Sequence, residues 1–499
     1  MKYLVTAQEM RCYDSNTIKQ IGIPGMVLME RAALAARDCV TAVIRGECGG
    51  KWDSCNGASV LILAGMGNNG GDGLALARLL SEAGFRVEVW CVGDERKASE
   101  QWLSQRKILE HDFANFSDSP TSREYTILVD ALFGVGLSRE VEGDYASAIR
   151  KFNELRGYKL ALDVPSGICS DTGRVLGIAV KADETVTFGF AKRGLYLYPG
   201  CEYAGRVQTA DVGINAKSFL GETPGMFYLD EIRDFLPPRQ RSGNKGTFGK
   251  VLLIAGSAGM AGAAVLSAKS AYRTGAGMVK VVTAPENRVI LQETVPEVLF
   301  GTYDNLEESL AWADVAAIGP GLGQSEEARR CLETVLRRCE KPLLIDADGL
   351  NLLAQDEELQ HMLAAQERQV VLTPHVGELA RLTGLSVTQL KERLWQHGLE
   401  LAEKLHVIVV AKDARTFTCA QNHPVCMNIH GNSGMATAGS GDVLAGIIAG
   451  LWAQGGDGFE AACLGVRLHA AAGDKAVQKI GSYACMAGDI ADEISTVLM

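Results

Sequence analysis

The chain has 499 residues, 47% hydrophobic and 22% charged, the composition of an ordinary globular protein too long for one typical domain. Its formal net charge is -11. Lys and Arg are scattered apart from Arg239, Arg241 and Lys245, so nucleic acid, which favours a basic face, is not expected as a partner. No apolar run reaches the ~18 residues that would span a bilayer, and Met1 to Met10 lacks a signal-peptide core. The 13 cysteines include no Cys-x-x-Cys pair and no His/Cys cluster of zinc spacing. Most, such as Cys331 and Cys463, fall in helical patterns. The expected compartment is a reducing cytoplasm, without a membrane partner.

Residues 7–45 read as helices, favoured by Ala32 to Ala36 and broken at Pro24-Gly25. Strands and helices then alternate. Val60 to Ala64 is a buried strand, 71–84 a helix, and 86–92, 127–129 and 160–162 further strands. This alternation predicts a parallel sheet with helices on both faces, and ligands beyond the carboxyl ends of its strands. Gly65 to Gly73 contains a Gly-x-Gly-x-x-Gly, a weak signal because the next strand has no well-placed acid for a ribose; Asp94 comes late. The sharper feature is the loop Asn68-Asn69-Gly70-Gly71-Asp72, whose polar groups exceed what a turn requires. The third strand leads into Asp130 and then Gly134-Val135-Gly136. The fourth leads into Asp163-Val164-Pro165-Ser166-Gly167. Each loop alone reads as an ordinary turn; together the three bring polar groups to one site.

From Asp211 to Arg241 the pattern is irregular and rich in Pro and Gly, which places a domain boundary near residue 222. The expected domains are 1–222 and 223–499. Val251 to Ala255 begins a second series, followed by a glycine loop, a small-residue helix to about Thr274 and a strand at 278–282. Further on are Ile318-Gly319-Pro320-Gly321-Leu322-Gly323, Leu344 to Asn351, and Thr373-Pro374-His375-Val376-Gly377-Glu378. The strand Val407 to Ala411 runs straight into Lys412-Asp413-Ala414-Arg415-Thr416. Then comes Gly439-Ser440-Gly441-Asp442 before an apolar helix, and a last helix pair from Phe459 to the end. Glycines before a helix start turn backbone N–H groups toward an anion, aided by the helix dipole. Asp442, in the first turn, either caps the helix or takes a proton from a hydroxyl that attacks a phosphate.

The first half resembles the epimerase domain of the NAD(P)H-hydrate repair enzymes, and residues 225–499 resemble their ribokinase-like dehydratase domain. The resemblance implies two three-layer α/β/α domains, the first Rossmann-like. It puts potassium on Asn69, Asp130 and Ser166, an oxygen set that suits a hard cation. It puts substrate on Asn68, Asn69, Gly70, Gly71 and Asp72, on Gly134, Val135, Gly136, Leu137, Ser138, Arg139 and Glu140, and on Asp163. Asp163 then either serves as the acid/base that inverts C6 of the hydrated ring or only orients ligands. In the second domain the resemblance puts hydrated nicotinamide on Ala263, Gly323, His375 and Asp442. It puts adenine nucleotide on Lys412, Asp413, Ala414, Arg415, Thr416 and Gly441, and magnesium on Glu378. A lone His after Thr-Pro is otherwise a polar turn residue; His430 and His469 are given no role.

The implied activity is epimerisation of hydrated NADH and NADPH, and dehydration of the S epimer at the expense of ADP or ATP, with ADP favoured. Asp442 would deprotonate the C6 hydroxyl, which takes a phosphoryl group and leaves as phosphate. The family also implies a homo-oligomer. Departures from its pattern are Ser433 for proline, Ala438 for glycine, Ser440 for threonine and Asp413 for glycine. Asp413 puts a carboxylate beside nucleotide phosphates, which repels them unless it points away or meets a cation. Two other readings use the same residues. A kinase of a small alcohol shares Asp442 but leaves Asn68 to Asp72 unexplained, and a stable phosphorylated product would mark it. A nucleotide-sensing scaffold rests on Asp413 alone, and ADP binding without turnover would mark it.

Overall fold

The computed structural model describes residues 1–46, 58–111 and 114–499. They divide into two compact units, Tyr3–Gly225 and Met226–Met499 with Met1–Lys2. Both are α/β.

In the first unit, helices α1 (Ala7–Asn16) and α2 (Gly25–Ile44) precede the sheet strands β1 (Ser59–Ala64), β2 (Arg86–Cys91), β3 (Asn115–Ser117), β4 (Glu124–Ala131), β5 (Arg156–Leu162), β6 (Glu184–Phe188) and β7 (Arg206–Ala210). Their order is β3-β2-β1-β4-β5-β6-β7, parallel throughout. Side chains of β1 alternate between two apolar layers, as a period of two demands. Val60, Ile62 and Ala64 pack with α2 and with α3 (Asn68–Glu82). Leu61 and Leu63 pack with Ile149 and Phe152 of α4 (Gly143–Glu154). Burial on both faces explains why the central strands read as unbroken apolar runs.

Helix α3 starts at Asn68, three residues before the predicted start, so Asn68 to Asp72 form its first turns and not a loop. Gly67 occupies the cap position without any side-chain cap. A Cβ on Gly70 would collide with the Gly65 carbonyl, and one on Gly71 would come 2.7 Å from the Met29 methyl. Close backbone approach therefore sets this helix start, and only glycine permits it.

The second unit contains β8 (Met226–Tyr228), β9 (Lys250–Ile254), β10 (Met278–Val282), β11 (Leu299–Gly301), β12 (Val315–Ile318), β13 (Leu343–Ile345), β14 (Val370–Leu372), β15 (Ile408–Ala411), β16 (Phe417–Cys419) and β17 (Val425–Met427). Their order is β11-β10-β9-β12-β13-β14-β15-β16-β17-β8, with β16 antiparallel to both neighbours. Helices α5 (Ala261–Arg273), α6 (Val376–Thr383), α7 (Ser440–Trp452), α8 (Gly458–Ile480) and α9 (Ala487–Leu498) complete the parts that position the site. Helices α5 and α7 touch backbone to backbone: a Cβ on Gly446 would overlap the Ser267 carbonyl, and one on Gly450 would meet Ala271. The small-residue pattern of both helices is the condition for that approach. No helix among the described residues is long and apolar enough to cross a membrane. The described cysteines are all free thiols, Cys331 and Cys463 buried in helices.

Candidate active sites

A cavity of about 940 Å3 opens beyond the carboxyl ends of β1, β4 and β5. Asn68, Asn69, Asp72, Gly134 to Arg139 and Asp163 line it, together with Asp14 and Lys192. Glu140 does not: it is exposed, and its Oε2 stands 3.0 Å from where Gly177 would carry a Cβ. Gly70 and Gly71 are buried in helix packing and also lie off the cavity wall.

Asp163 sits in the left-handed region at φ 67, a conformation that costs an L-residue about 1 kcal/mol or more. Three donors meet its carboxylate. Oδ1 accepts from Lys192 Nζ at 2.5 Å and from Thr187 Oγ1 at 3.3 Å. Oδ2 accepts from the Val135 amide at 3.3 Å.

Asp130 is fully buried, and burial pushes its carboxyl up to about 6 against the opposing bonds from Ser166 and Leu132. The Ser166 hydroxyl donates to Asp130 Oδ1 at 2.6 Å, and the Ser166 amide donates to Oδ2 at 2.7 Å. Asn69 donates through Nδ2 to the Leu162 carbonyl at 3.2 Å, while its Oδ1 is buried without a partner. A buried orphan oxygen costs stability unless something meets it. Asn69 and Ser166 both reach the same turn: Ser166 Oγ accepts from the Phe133 amide at 2.9 Å, and the Asn69 Cβ lies 3.4 Å from a Cβ placed on Gly134. An all-oxygen set with one buried carboxylate and one orphan oxygen fits a hard monovalent cation.

In the second unit, Gly439 takes the cap position of α7 at φ 89 with no side-chain cap. Asp442 is therefore not the cap, and its carboxyl is free for chemistry. Burial first, then Asp346, pushes it up to about 7, with Lys412 opposing. Lys412 Nζ donates to Asp346 Oδ1 at 2.8 Å, and Thr373 Oγ1 donates to the same oxygen at 2.6 Å. A Cβ on Gly441 would stand 3.4 Å from Lys412 Nζ and 3.8 Å from Asp346 Oδ2. The ammonium thus lies against the first turn of α7.

His375 caps α6: Nδ1 accepts from the Gly377 amide at 2.9 Å, which leaves the proton on Nε2, 3.3 Å from Glu378 Oε1. Burial, then Lys412, holds the imidazole below its ordinary value. Glu378 Oε2 accepts from the His375 amide at 2.8 Å, and burial pushes the Glu378 carboxyl up to about 7. Among the described residues no three His, Cys, Asp or Glu side chains are grouped to hold a metal. Glu378 fits a divalent cation only as a single ligand, with water and phosphate supplying the rest. Gly323 donates its amide to Asp348 Oδ2 at 2.8 Å, and Ala263 lies under the same loop, 2.8 Å from a Cβ placed on Gly321. Lys412 to Thr416 form the turn between β15 and β16. Asp413 meets a cation there, Lys391 Nζ at 3.7 Å.

Sequence reasoning passed over Lys192, Asp14, Asp346 and Asp348. Asp346 carries the signal used for Asp130 and Asp163, an acid at the end of a buried strand. Lys192 carries only one, a charge directly after the apolar run Phe188 to Ala191. His469, given no role, is buried with Nε2 3.2 Å from the Ser440 hydroxyl.

Residues 25–194 match the family described as YjeF-related protein N-terminus, and residues 251–496 match that described as NAD(P)H-hydrate dehydratase. The bifunctional NAD(P)H-hydrate repair enzyme Nnr of Moorella thermoacetica is 37% identical over 99% of this chain and 96% of its own length. That of Coxiella burnetii is 38% identical over 94% of each. Among solved structures, a ribokinase-like superfamily protein from Enterococcus faecalis is 30% identical at a TM-score of 0.50, covering 55% of this chain and 95% of its own. With both domain families matched in order and such identity over nearly the whole of both proteins, the chain belongs to the bifunctional NAD(P)H-hydrate repair enzymes.

Proposed function

We propose that this chain interconverts the R and S hydrates of NADH and NADPH in its first unit and dehydrates the S hydrate in its second, with ADP as the preferred phosphoryl donor over ATP. The observation that carries this reading is Asp442: a carboxyl in the first turn of α7, uncapped and raised to about 7, beside the Lys412 ammonium. Asp442 takes the proton of the C6 hydroxyl, and the freed oxygen attacks the terminal phosphoryl group. The amides at the start of α7 and Lys412 hold the charge that develops there. Phosphate then leaves with the C6–O electron pair, a C5 proton is lost, and the C5–C6 double bond forms. Glu378 would share magnesium with the nucleotide phosphates.

In the first unit, Asn69 Oδ1, Asp130 and Ser166 would hold potassium, which supplies fixed positive charge beside the substrate. Asp163 serves as the acid/base at C6, with Asn68, Asp72 and Gly134 to Arg139 around the dinucleotide. Cytoplasmic location and assembly beyond a monomer belong to the same reading. The test is an epimer mixture of NADH hydrate incubated with the protein, magnesium, potassium and either ADP or ATP. Complete return of the near-ultraviolet absorbance of reduced nicotinamide is expected, faster with ADP. A stable phosphorylated product without that absorbance would overturn the reading in favour of a kinase.

A further inference from the structure

The epimerase reading leaves Lys192 in the first cavity without a task and gives Asp72 no more than a place beside the dinucleotide. Lys192 is 1% exposed, and its ammonium donates to Asp163 Oδ1, to Thr187 Oγ1 at 3.0 Å and to the Phe188 carbonyl at 2.9 Å. All three of its protons are thus committed. Oδ1 of Asp163 is saturated by Lys192 and Thr187. Oδ2 receives one long bond from Val135, and the Cβ that Gly134 lacks would stand 2.9 Å from it. The glycine keeps that oxygen open to the cavity. Asp72 also lines the cavity and forms no hydrogen bond or ion pair among the described residues.

We propose that Asp72 is the proton donor of the epimerisation, and that Lys192 is a positioning residue that pins Asp163 as the base and so commits the two carboxyl groups to opposite roles. This rests on the epimerase reading. Asp72 gives its proton to the C6 hydroxyl oxygen as the C6–O bond breaks; that bond pair leaves with the oxygen as water. The N1 lone pair forms the N1–C6 double bond. Water then adds to the opposite face of C6, the π pair returns to N1, and Asp163 Oδ2 takes the proton that the water releases. Solvent returns a proton to Asp72 and removes one from Asp163, so nothing else is consumed. Placing two carboxyl groups in environments that separate their protonation is a general way to build an acid and a base in one site.

The surroundings agree with this division. Burial, then the neighbouring carboxylates of Asp163 and Asp14, push Asp72 well above the usual carboxylate range, and Lys192 opposes them. Arg11, Lys97, Arg139 and Tyr145 also line the cavity. An acid must be protonated to act, so turnover falls as pH rises through the raised value of Asp72.

The test follows conversion of the pure R hydrate to S in the full-length protein with potassium and no nucleotide, the epimers being separated by chromatography. Asp72→Asn is expected to cut kcat about 100-fold with KM within about threefold, and to abolish the alkaline fall of the pH profile. Lys192→Met is expected to cut kcat about tenfold or more, with partial rescue by Lys192→Arg. Asp72→Asn at wild-type kcat, or an unchanged alkaline limb, would overturn the proposal. If Lys192→Met unfolds by circular dichroism, Asp72→Asn and Lys192→Arg still decide. Wild-type epimerisation by Asp163→Asn would remove Asp163 as the base and with it the division of roles, whereas no conversion of R to S by the wild-type protein would instead sink the epimerase reading itself, whatever the variants do.

Discussion

The pH dependence of the dehydratase follows from one carboxyl. Asp442 must lose its proton to act as base, and its surroundings hold it near 7. With such a value, about 9% of the enzyme carries the base form at pH 6 and about 91% at pH 8, so kcat/KM for the S hydrate rises about tenfold from pH 6 to pH 8. A carboxyl at the ordinary value of about 4 would give almost no change there. The structure also sets the direction of two shifts. Lys412 lowers Asp442 and Asp346 raises it. Lys412→Met therefore moves the acid limb to higher pH, and Asp346→Asn moves it to lower pH. The assay is recovery of reduced nicotinamide absorbance at subsaturating hydrate and saturating nucleotide, each variant measured from pH 5.5 to 9. Glu378 is also held near 7, so a limb steeper than one proton that Glu378→Gln restores to one would assign the second ionisation. A profile flat from pH 6 to 8, or Lys412→Met and Asp346→Asn shifting the limb the same way, would refute the reasoning.

Gly70→Ala forces a methyl into the Gly65 carbonyl and is expected to cost roughly 1–3 kcal/mol, read by chemical denaturation, with epimerisation lost and dehydration retained; unchanged stability would mean the helix start yields freely. Asn69→Leu removes the orphan oxygen and is expected to weaken potassium activation of epimerisation about tenfold or more, and an unaltered potassium titration would remove Asn69 from the cation site. Lys391→Met leaves Asp413 without its cation and is expected to raise the nucleotide KM about two- to fivefold, the range of an exposed ion pair. Adding Asp413→Gly should cancel that rise; simple addition of the two effects would show that the pair is not coupled.

The layout of both units is legible because their central strands are buried on both faces and so stand out as apolar runs. β6 escaped that logic. Its sequence, Glu-Thr-Val-Thr-Phe, looks polar, yet every residue is buried. Glu184 is met by Tyr158 and Arg206, Thr185 by the Ala204 carbonyl and Thr187 by Lys192. A strand whose polar groups are satisfied by tertiary partners carries no hydrophobic signature. The start of α3 was misplaced for a related reason: backbone contact with Gly65 sets it, and no capping side chain announces it. Acids at strand ends were readable as candidates, but their cations were not. Lys192 lies 29 residues from Asp163 and Lys412 lies 66 residues from Asp346, and no local pattern predicts either pairing.

Those two pairings are built alike. In each unit a poorly exposed lysine bonds one carboxylate at the end of a parallel strand, and a second carboxyl in the first turns of a glycine-started helix is left without a hydrogen-bonded cation. The lysine ends on Asp163 in one case and on Asp346 in the other. The carboxyl left over is Asp72 in α3 and Asp442 in α7. A buried ammonium next to a single carboxylate would leave the site an acceptor of protons and no donor. Next to two, it satisfies the nearer and, through the charge that remains, burial and the first carboxylate raise the second toward the range where protons move. On the proposed reading, either unit runs proton transfer at neutral pH without a histidine, and the direction of transfer is left to the substrate: a hydroxyl to be deprotonated beside Asp442, a leaving oxygen to be protonated beside Asp72.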